Sequence, residues 1–448
     1  MPAATDRVPA PPARAGRRRL RSTAVTIALG GTLFTVGALG LAPQQAPTPT
    51  AAPGQDAPRG KDATEALRTH VRELPADPGG WSSLGMAYVQ QARSTADAAT
   101  YDRAQAALRK SLALQPAGNF AAETGMGALE SARHDFAGAL TWAQRATTDN
   151  PYSAPAQGVL ADALTQLGRY EDSYAAVQRM TDLRPDSSAL ARASYSWELR
   201  GDTARARDLM NKSLQAAGTP ADKAFALTHL ATLALETGDP RTALELAGAG
   251  LAVLPGDAAL LEARARAHTA LGHSGQAVTD FTAAVAAAPL PQYLLGLGDL
   301  QRLLGHREAA EEQYDVLRAQ ETLRKASGGA PDADAVLFEA DHGNPETAVE
   351  MGRAALRRRP FIAVHDAYAW ALHRAGRDTE AIEQADLALA LGTVSAPFHY
   401  HRALINQALG RTGAARTDLR RALDTDPHFH PVDAPRARTA LSRIEAAR

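Results

Sequence analysis

Apolar residues between positions 157 and 185 recur at helical spacing in two short runs that meet at Gly168. Apolar side chains repeated every three or four residues predict amphipathic helices that each bury one face. Glycine ends a helix in the left-handed conformation without a Cβ penalty, so Gly168 marks the boundary between the two runs. The stretch therefore predicts two short helices joined by a tight turn.

Variants of this unit recur to the end of the chain. Aligning them on the turn glycine gives spacings of 33 to 38 residues. A period near 34 with helical patterning predicts stacked helix pairs. Two earlier units fit the alignment less well, and His134 occupies the glycine position in one of them. The turn glycines are Gly168, Gly201, Gly238, Gly272, Gly305, Gly343, Gly376 and Gly410.

A second fixed position lies five residues after each turn glycine and always holds a small residue. A small side chain there lets the paired helices approach closely. Seven residues before the glycine the residue is also nearly always small, with Val336 as the exception. The first of these two positions holds Ser173, Ala206, Ala243, Ala277, Ala310, Ala348, Ala381 and Ala415.

This pattern resembles the tetratricopeptide repeat. The first full unit carries the family signature as Trp81, Leu84, Gly85 and Tyr88. The resemblance covers residues 62–448 in about ten units. It implies an all-α fold, a right-handed helical-repeat solenoid with capping helices. The uncharged stretch at 22–42 predicts one hydrophobic N-terminal helix before the solenoid. A globular all-α bundle is the alternative.

The sequence divides into six segments under this interpretation. A terminal helix with one polar face keeps a repeat array soluble, so a capping helix is expected at each end. The segments are a basic tail at 1–21, a hydrophobic stretch at 22–42, a Pro/Ala/Thr-rich linker at 43–61, an N-terminal capping helix at 62–78, the repeat array at 79–430 and a C-terminal capping helix at 431–448.

The hydrophobic stretch at 22–42 has no charged residue and is long enough to cross a bilayer. Six arginines precede it, and arginines next to a membrane span remain cytoplasmic. We therefore expect a single-pass anchor in the cytoplasmic membrane with the repeat array outside the cytoplasm. A cleaved signal sequence is the alternative, and it would give a secreted protein. Pro43 directly follows the small residues that a signal peptidase would need, which favours the anchor.

Composition gives little support for catalysis. The chain has 48 basic and 49 acidic residues and no cysteine, so thiolate zinc sites and cysteine nucleophiles are excluded. The sequence contains no phosphate-binding glycine loop, no zinc-protease motif and no nucleophile-elbow motif. Its arginine clusters lie late in second helices, where positive charge offsets the helix dipole, so nucleic-acid binding is not expected. We predict a non-enzymatic protein without a cofactor.

Histidine is the one residue type that clusters. His428 and His430 lie in a loop with acidic neighbours, and imidazole suits zinc, copper or nickel. A metal-handling accessory protein is therefore the alternative function. His399 and His401 are poorer candidates because residues two apart on a helix point to different sides. Surface and packing roles are the favoured interpretation of all four histidines, so no metal site is predicted.

The resemblance implies that the first helix of each pair lines a concave groove, which fits a protein or peptide segment. We predict a protein–protein interaction scaffold on that basis, with Trp370 and Tyr400 flanking one recognition pocket. The exposed groove positions implied by the resemblance are Asp162, Thr165, Tyr195, Glu198, Glu262, Arg266, Asp299, Arg302, Trp370, His373, Tyr400 and Gln407.

Overall fold

The structure is a computed structural model, which describes residues 60–95, 98–326 and 328–446. These ranges form α-helices and no strand. In chain order the helices are α1 Gly60–Glu73, α2 Pro78–Thr95, α3 Ala98–Leu114, α4 Phe120–Ala132, α5 Phe136–Asp149, α6 Ala154–Gln166, α7 Tyr170–Leu183, α8 Ser187–Leu199, α9 Thr203–Gln215, α10 Pro220–Glu236, α11 Pro240–Val253, α12 Ala258–Ala270, α13 Ser274–Ala287, α14 Pro291–Leu303, α15 Arg307–Ala326, α16 Ala333–His342, α17 Pro345–Arg358, α18 Ile362–Arg374, α19 Asp378–Ala388, α20 Ala396–Ala408, α21 Thr412–Thr425 and α22 Asp433–Ala446.

Helices α2 to α21 form ten consecutive pairs, with α1 and α22 as single helices at the two ends. Each even-numbered helix packs on its odd-numbered partner, and α2 with α4, α4 with α6 and α18 with α20 also pack on each other. The even-numbered first helices thus pack on one another from α2 to α6 and from α10 to α20, and we call the even-numbered helices together the inner wall. The predicted all-helical repeat architecture is confirmed over the described residues.

The predicted hydrophobic helix at 22–42 lies outside the described residues. Within the ranges that the structure describes, no helix is both long and apolar enough to cross a bilayer.

The turn glycines adopt the predicted left-handed conformation at seven of the eight positions, with φ between 69° and 85°. His134 takes the same conformation, with φ of 62°, although it carries a side chain. Gly343 is the exception, because its φ is −129°. There the Glu339 carboxylate accepts a hydrogen bond from the Asn344 backbone N–H at 2.8 Å, so the turn closes in a different way.

The small residues that follow the turn glycines are all buried, with at most 1% of their surface exposed. Ala381 is 0% exposed and belongs to the apolar cluster that contains Ala369 and Leu372 of the preceding helix. These contacts explain the fixed spacing, because a larger side chain at the position would push the two helices apart.

Replacing Ala381 by leucine should therefore lower the free energy of unfolding by about 1–3 kcal/mol, because the added volume has no space. Ala390 is exposed just beyond the end of α19, so Ala390→Leu should change stability far less. Urea unfolding of the two variants measures the difference. Equal losses would show that Ala381 does not occupy a tight contact.

The array coils until loops from distant repeats meet. The Ile362 backbone N–H donates to the Tyr170 hydroxyl at 2.9 Å, across 192 residues of sequence. Thr393 Oγ1 donates to the Leu199 carbonyl at 2.5 Å, across 194 residues. We call this line of contacts the seam, and it comprises residues 168–170, 199–201 and 236–238 on one side and 359–362, 392–394 and 425–427 on the other.

Candidate functional site

The inner wall encloses a cavity of about 260 Å³ in its C-terminal half. Helices α12 and α14 supply half of its lining residues, and the loop 426–431 that leads to α22 covers it. Its polar lining includes Glu262, Arg266, Asp299, Asp334, Asp426, His428 and His430, and its apolar lining includes Leu235, Phe281, Leu295, Leu300 and Phe429. The cavity therefore has an apolar body with several charged groups directed toward it.

Carboxylates dominate the inner wall around the cavity. Burial raises the pKa of Glu262, and Arg266, whose Nη1 lies 3.7 Å from Glu262 Oε1, only partly offsets that effect. Burial and the neighbouring Asp332 raise the pKa of Asp334 to about 7. Burial likewise raises the pKa of Glu236. Each shift indicates a carboxylate that lacks enough positive charge around it.

Glu198 continues this acidic surface along the wall. Burial and the nearby Glu236 raise the pKa of Glu198 well above its ordinary value. Because α8, α10, α12 and α16 each contribute one of these carboxylates, the acidic surface follows the wall across several repeats.

Asp299, unlike the four carboxylates Glu198, Glu236, Glu262 and Asp334, has strong hydrogen-bonding partners. It lies 3.1 Å from His342 Nε2 and 3.5 Å from His430 Nε2, and it accepts a hydrogen bond from the Tyr314 hydroxyl at 2.6 Å. Burial opposes ionisation of Asp299, but these hydrogen bonds outweigh burial and lower its pKa. The same network, with Asp433, raises the pKa of His430 to about 9. The network attaches the covering loop to the inner wall.

Trp370 and Tyr400 do not form an exposed pocket. Their exposed fractions are 5% and 3%. Trp370 Nε1 donates to the Asp341 carboxylate at 3.0 Å, and the Trp370 ring stacks on His401 with centroids 4.4 Å apart. The sequence pattern placed Trp370 off the helix–helix contact, but the neighbouring repeats cover it, because α16 and α20 both pack on α18. Both aromatic residues therefore belong to the core.

The remaining predicted groove residues are dispersed. Tyr195 packs beside Phe361 and Ile362 at the seam. Arg302 donates to His342 Nδ1 at 3.2 Å, and His373 Nδ1 lies 2.5 Å from Asp378 Oδ1. Gln407 is exposed. The structure thus brings only Glu262, Arg266 and Asp299 together in the cavity, and Glu198 lies farther along the wall.

The two predicted groove residues nearest the N-terminus both contact other groups within the protein. Asp162 forms a two-pronged ion pair with Arg192, at 2.9 and 2.7 Å. Thr165 is buried and donates to the Ala161 carbonyl within its own helix. Neither side chain is free to contact a partner.

The histidines proposed as metal ligands have other contacts. His430 Nε2 faces Asp299, and its Nδ1 lies 3.1 Å from Asp433 Oδ2. His428 is exposed. Nowhere in the described part of the chain do three or more histidine or acidic side chains form a group that could hold a metal ion. These contacts show that His430 connects the covering loop to the inner wall.

Glu236, Asp334 and Asp426 were not predicted as site residues. Asp334 lies nine residues before its turn glycine, between the positions six and ten residues before it that were chosen in other repeats. No groove residue was chosen in the repeat of Gly343, so Asp334 was missed. Asp426 comes from the covering loop, whose path no repeat pattern describes. Glu236 lies at the end of its helix, beyond every chosen position.

Comparison with known families supports the interpretation of the repeats. Residues 130–194 and 396–429 match two models that are both described as the tetratricopeptide repeat. No curated protein matches the chain. These matches, together with the ten helix pairs, support a tetratricopeptide-repeat protein.

The solved structures that match the chain share little sequence with it. A tetratricopeptide repeat protein from Parabacteroides merdae has 18% identity and a TM-score of 0.34, over 58% of this chain and 98% of that one. Yeast Tom70 has 13% identity and a TM-score of 0.34, over 87% and 92%. Human IFIT1, a dimer with PPP-AAAA, has 14% identity and a TM-score of 0.46, over 81% and 86%.

Proposed function

We propose that this chain is a non-enzymatic scaffold whose inner wall binds a basic segment of a partner protein. The proposal rests on the row of half-buried carboxylates at Glu198, Glu236, Glu262 and Asp334, whose pKa values are raised. Lysine or arginine side chains placed among them would supply the missing positive charge and restore the ionised carboxylates.

The cavity favours a peptide segment over a compact partner domain. Its volume of about 260 Å³ holds one or two side chains. Its apolar lining suits the aliphatic stem of a long basic side chain, while Glu262 and Asp334 face the charged end. An extended basic segment would place one such side chain in the cavity and others along the acidic wall.

A labelled arginine–alanine peptide tests the proposal by fluorescence anisotropy, with an aspartate–alanine peptide of equal length for comparison. The variant Glu262→Gln with Asp334→Asn should weaken binding of the basic peptide about tenfold or more, because two charge-assisted contacts are lost. The control is Glu245→Gln with Glu350→Gln, which makes the same charge change on exposed positions of second helices.

The control should bind within about twofold of the unmodified protein, since exposed charges contribute little. If both variants lost the same affinity for the basic peptide, overall charge would explain the effect, and these two carboxylates would not form the binding site. Failure of the unmodified protein to bind the basic peptide would overturn the proposal.

We further propose that the array lies outside the cytoplasm and is attached to the membrane by residues 22–42. The support is the uncharged stretch itself, the six arginines before it and Pro43 after it. N-terminal sequencing of the protein isolated from cells tests the attachment. A chain that begins at residue 43 or later would replace the anchored protein by a secreted one.

A further inference from the structure

The seam closes tightly enough to require glycine. A Cβ atom on Gly168 would lie 2.5 Å from the Pro360 carbonyl oxygen, and one on Gly238 would lie 3.0 Å from the Thr425 carbonyl oxygen. A Cβ atom on Gly201 would likewise clash with the Gly392 carbonyl oxygen. Gly272 occupies the same repeat position away from the seam, and nothing lies within 4 Å of its Cβ position.

The seam is nevertheless narrow. In the part of the chain that the structure describes, extensive helix packing occurs only between helices one or two apart in order, and none of it crosses the seam. Within the described residues, the contacts across the seam include two hydrogen bonds, a cation–π contact between Arg359 and Phe136, and a small apolar group that includes Leu199, Phe361 and Ile362. A contact that buries so little surface should open at a lower free energy than the packing within repeats.

Like charges lie along the inner edge of the seam. Glu236 is two residues before Gly238, and a Cβ atom on Gly238 would lie 3.5 Å from Asp426 Cα on the opposite side. Arg266 lies near both carboxylates and offsets part of their repulsion. The charged and titratable groups around Glu236 are Tyr195 and Glu198 from α8, Arg207 from α9, Glu262 and Arg266 from α12, and Asp426 and His428 from the covering loop.

We propose that the seam is a gate, which separates to admit a partner segment to the inner wall, and that ionisation of Glu236 and Asp426 favours the open state. The proposal deepens the scaffold function given above and rests on it. In this proposal the seam glycines have a role that the other turn glycines do not have. Because they carry no Cβ atom, the backbones of two distant loops can come together at the seam.

The direction of the pH effect follows from linkage. Closure buries Asp426 and partly buries Glu236, and burial is the main cause of the raised pKa of each. A group whose pKa is raised in the closed state stabilises closure fully below its ordinary pKa, and that stabilisation is lost as the pH rises through the raised value. For these carboxylates the loss of stabilisation begins near pH 4, which is about the ordinary pKa of Asp and Glu side chains. The gate should therefore close in acid and open toward neutral and alkaline pH.

Pulsed electron spin resonance on the full chain tests the gate without a partner. The protein has no cysteine, so Arg169→Cys with Arg358→Cys places two spin labels at exposed positions on opposite sides of the seam. The control pair, Arg169→Cys with Arg241→Cys, lies on one side only. Between about pH 5 and pH 8 the long-distance fraction of the seam pair should rise at least twofold, while the control pair stays unchanged.

Adding Glu236→Gln with Asp426→Asn to the seam pair should keep the short distance at the higher pH. An unchanged seam distance in the unmodified background, or equal spreading of the control pair, would overturn the gate. The measurement uses no peptide, so its failure is separate from failure of the anisotropy experiment, which tests the binding function.

Discussion

Replacing Trp370 by alanine should lower the free energy of unfolding by about 3–5 kcal/mol, the range for truncation of a large buried aromatic residue. The ring is 5% exposed, and it packs among residues of α16, α17 and α20 in one apolar cluster. The substitution also removes the hydrogen bond that Trp370 Nε1 donates to the Asp341 carboxylate. Urea unfolding followed by circular dichroism measures the loss.

Trp197→Ala is the matched control. The Trp197 ring is only partly buried and lies between two guanidinium groups, with the carbon of Arg200 3.8 Å and that of Arg205 4.4 Å from its centroid. Cation–π contacts at partly exposed sites contribute about 0.5–1 kcal/mol each, so this variant should lose much less stability. If Trp370→Ala retained full stability but lost binding of the basic peptide, Trp370 would be a recognition residue after all.

Replacing Asp366 by alanine should lower the free energy of unfolding by about 3–5 kcal/mol at pH 6, because it leaves a buried charge without its partner. Asp366 is 2% exposed, and its carboxylate oxygens lie 3.0 and 2.9 Å from His401 Nδ1. Burial by itself lowers the pKa of His401, but Asp366 outweighs burial, and the net pKa is raised.

The cost of Asp366→Ala should also depend on pH. A histidine whose pKa is raised in the folded state contributes stability that is fully present below its unfolded pKa of about 6.5 and is lost as the pH rises through the folded value. The difference between the variant and the unmodified protein should therefore shrink from pH 6 toward pH 9. A difference that stays constant with pH would show that His401 is neutral in the folded protein.

Asp386→Ala is the control for this experiment. Asp386 pairs with Arg402 at 3.0 Å, but its side chain is 61% exposed. An exposed ion pair contributes about 0–1 kcal/mol, so the loss should be small at both pH values. A loss as large as that of Asp366→Ala would mean that burial does not decide the strength of these pairs.

Local chemistry determined the repeat unit. A glycine after each first helix, a small residue five positions later and apolar residues at helical spacing each act within one helix pair, so they could be recognised in the sequence. The buried position of Ala381 and the left-handed turns at Gly168 and Gly201 agree with that reasoning. Gly343 differed, because the Glu339 side chain, rather than the glycine, completes the turn.

The candidate site was only partly predictable for the same physical reason. Glu262, Arg266 and Asp299 lie at repeat positions on the inner wall, and all three line the cavity. Trp370 lies at an equivalent position, but two neighbouring repeats bury it. Whether an inward-facing side chain is exposed depends on how adjacent pairs pack, and the pattern of a single pair does not contain that information.

The sequence by itself determined that this protein is an array of helix pairs, because the spacing of small and apolar residues sets how each pair packs. Only the tertiary structure decided where the array meets itself. Contacts across 192 and 194 residues result from small rotations between successive repeats, which add up over the array. That accumulated rotation brings Glu236 beside Asp426 and places the loop with His430 over the cavity, since both depend on every repeat between them.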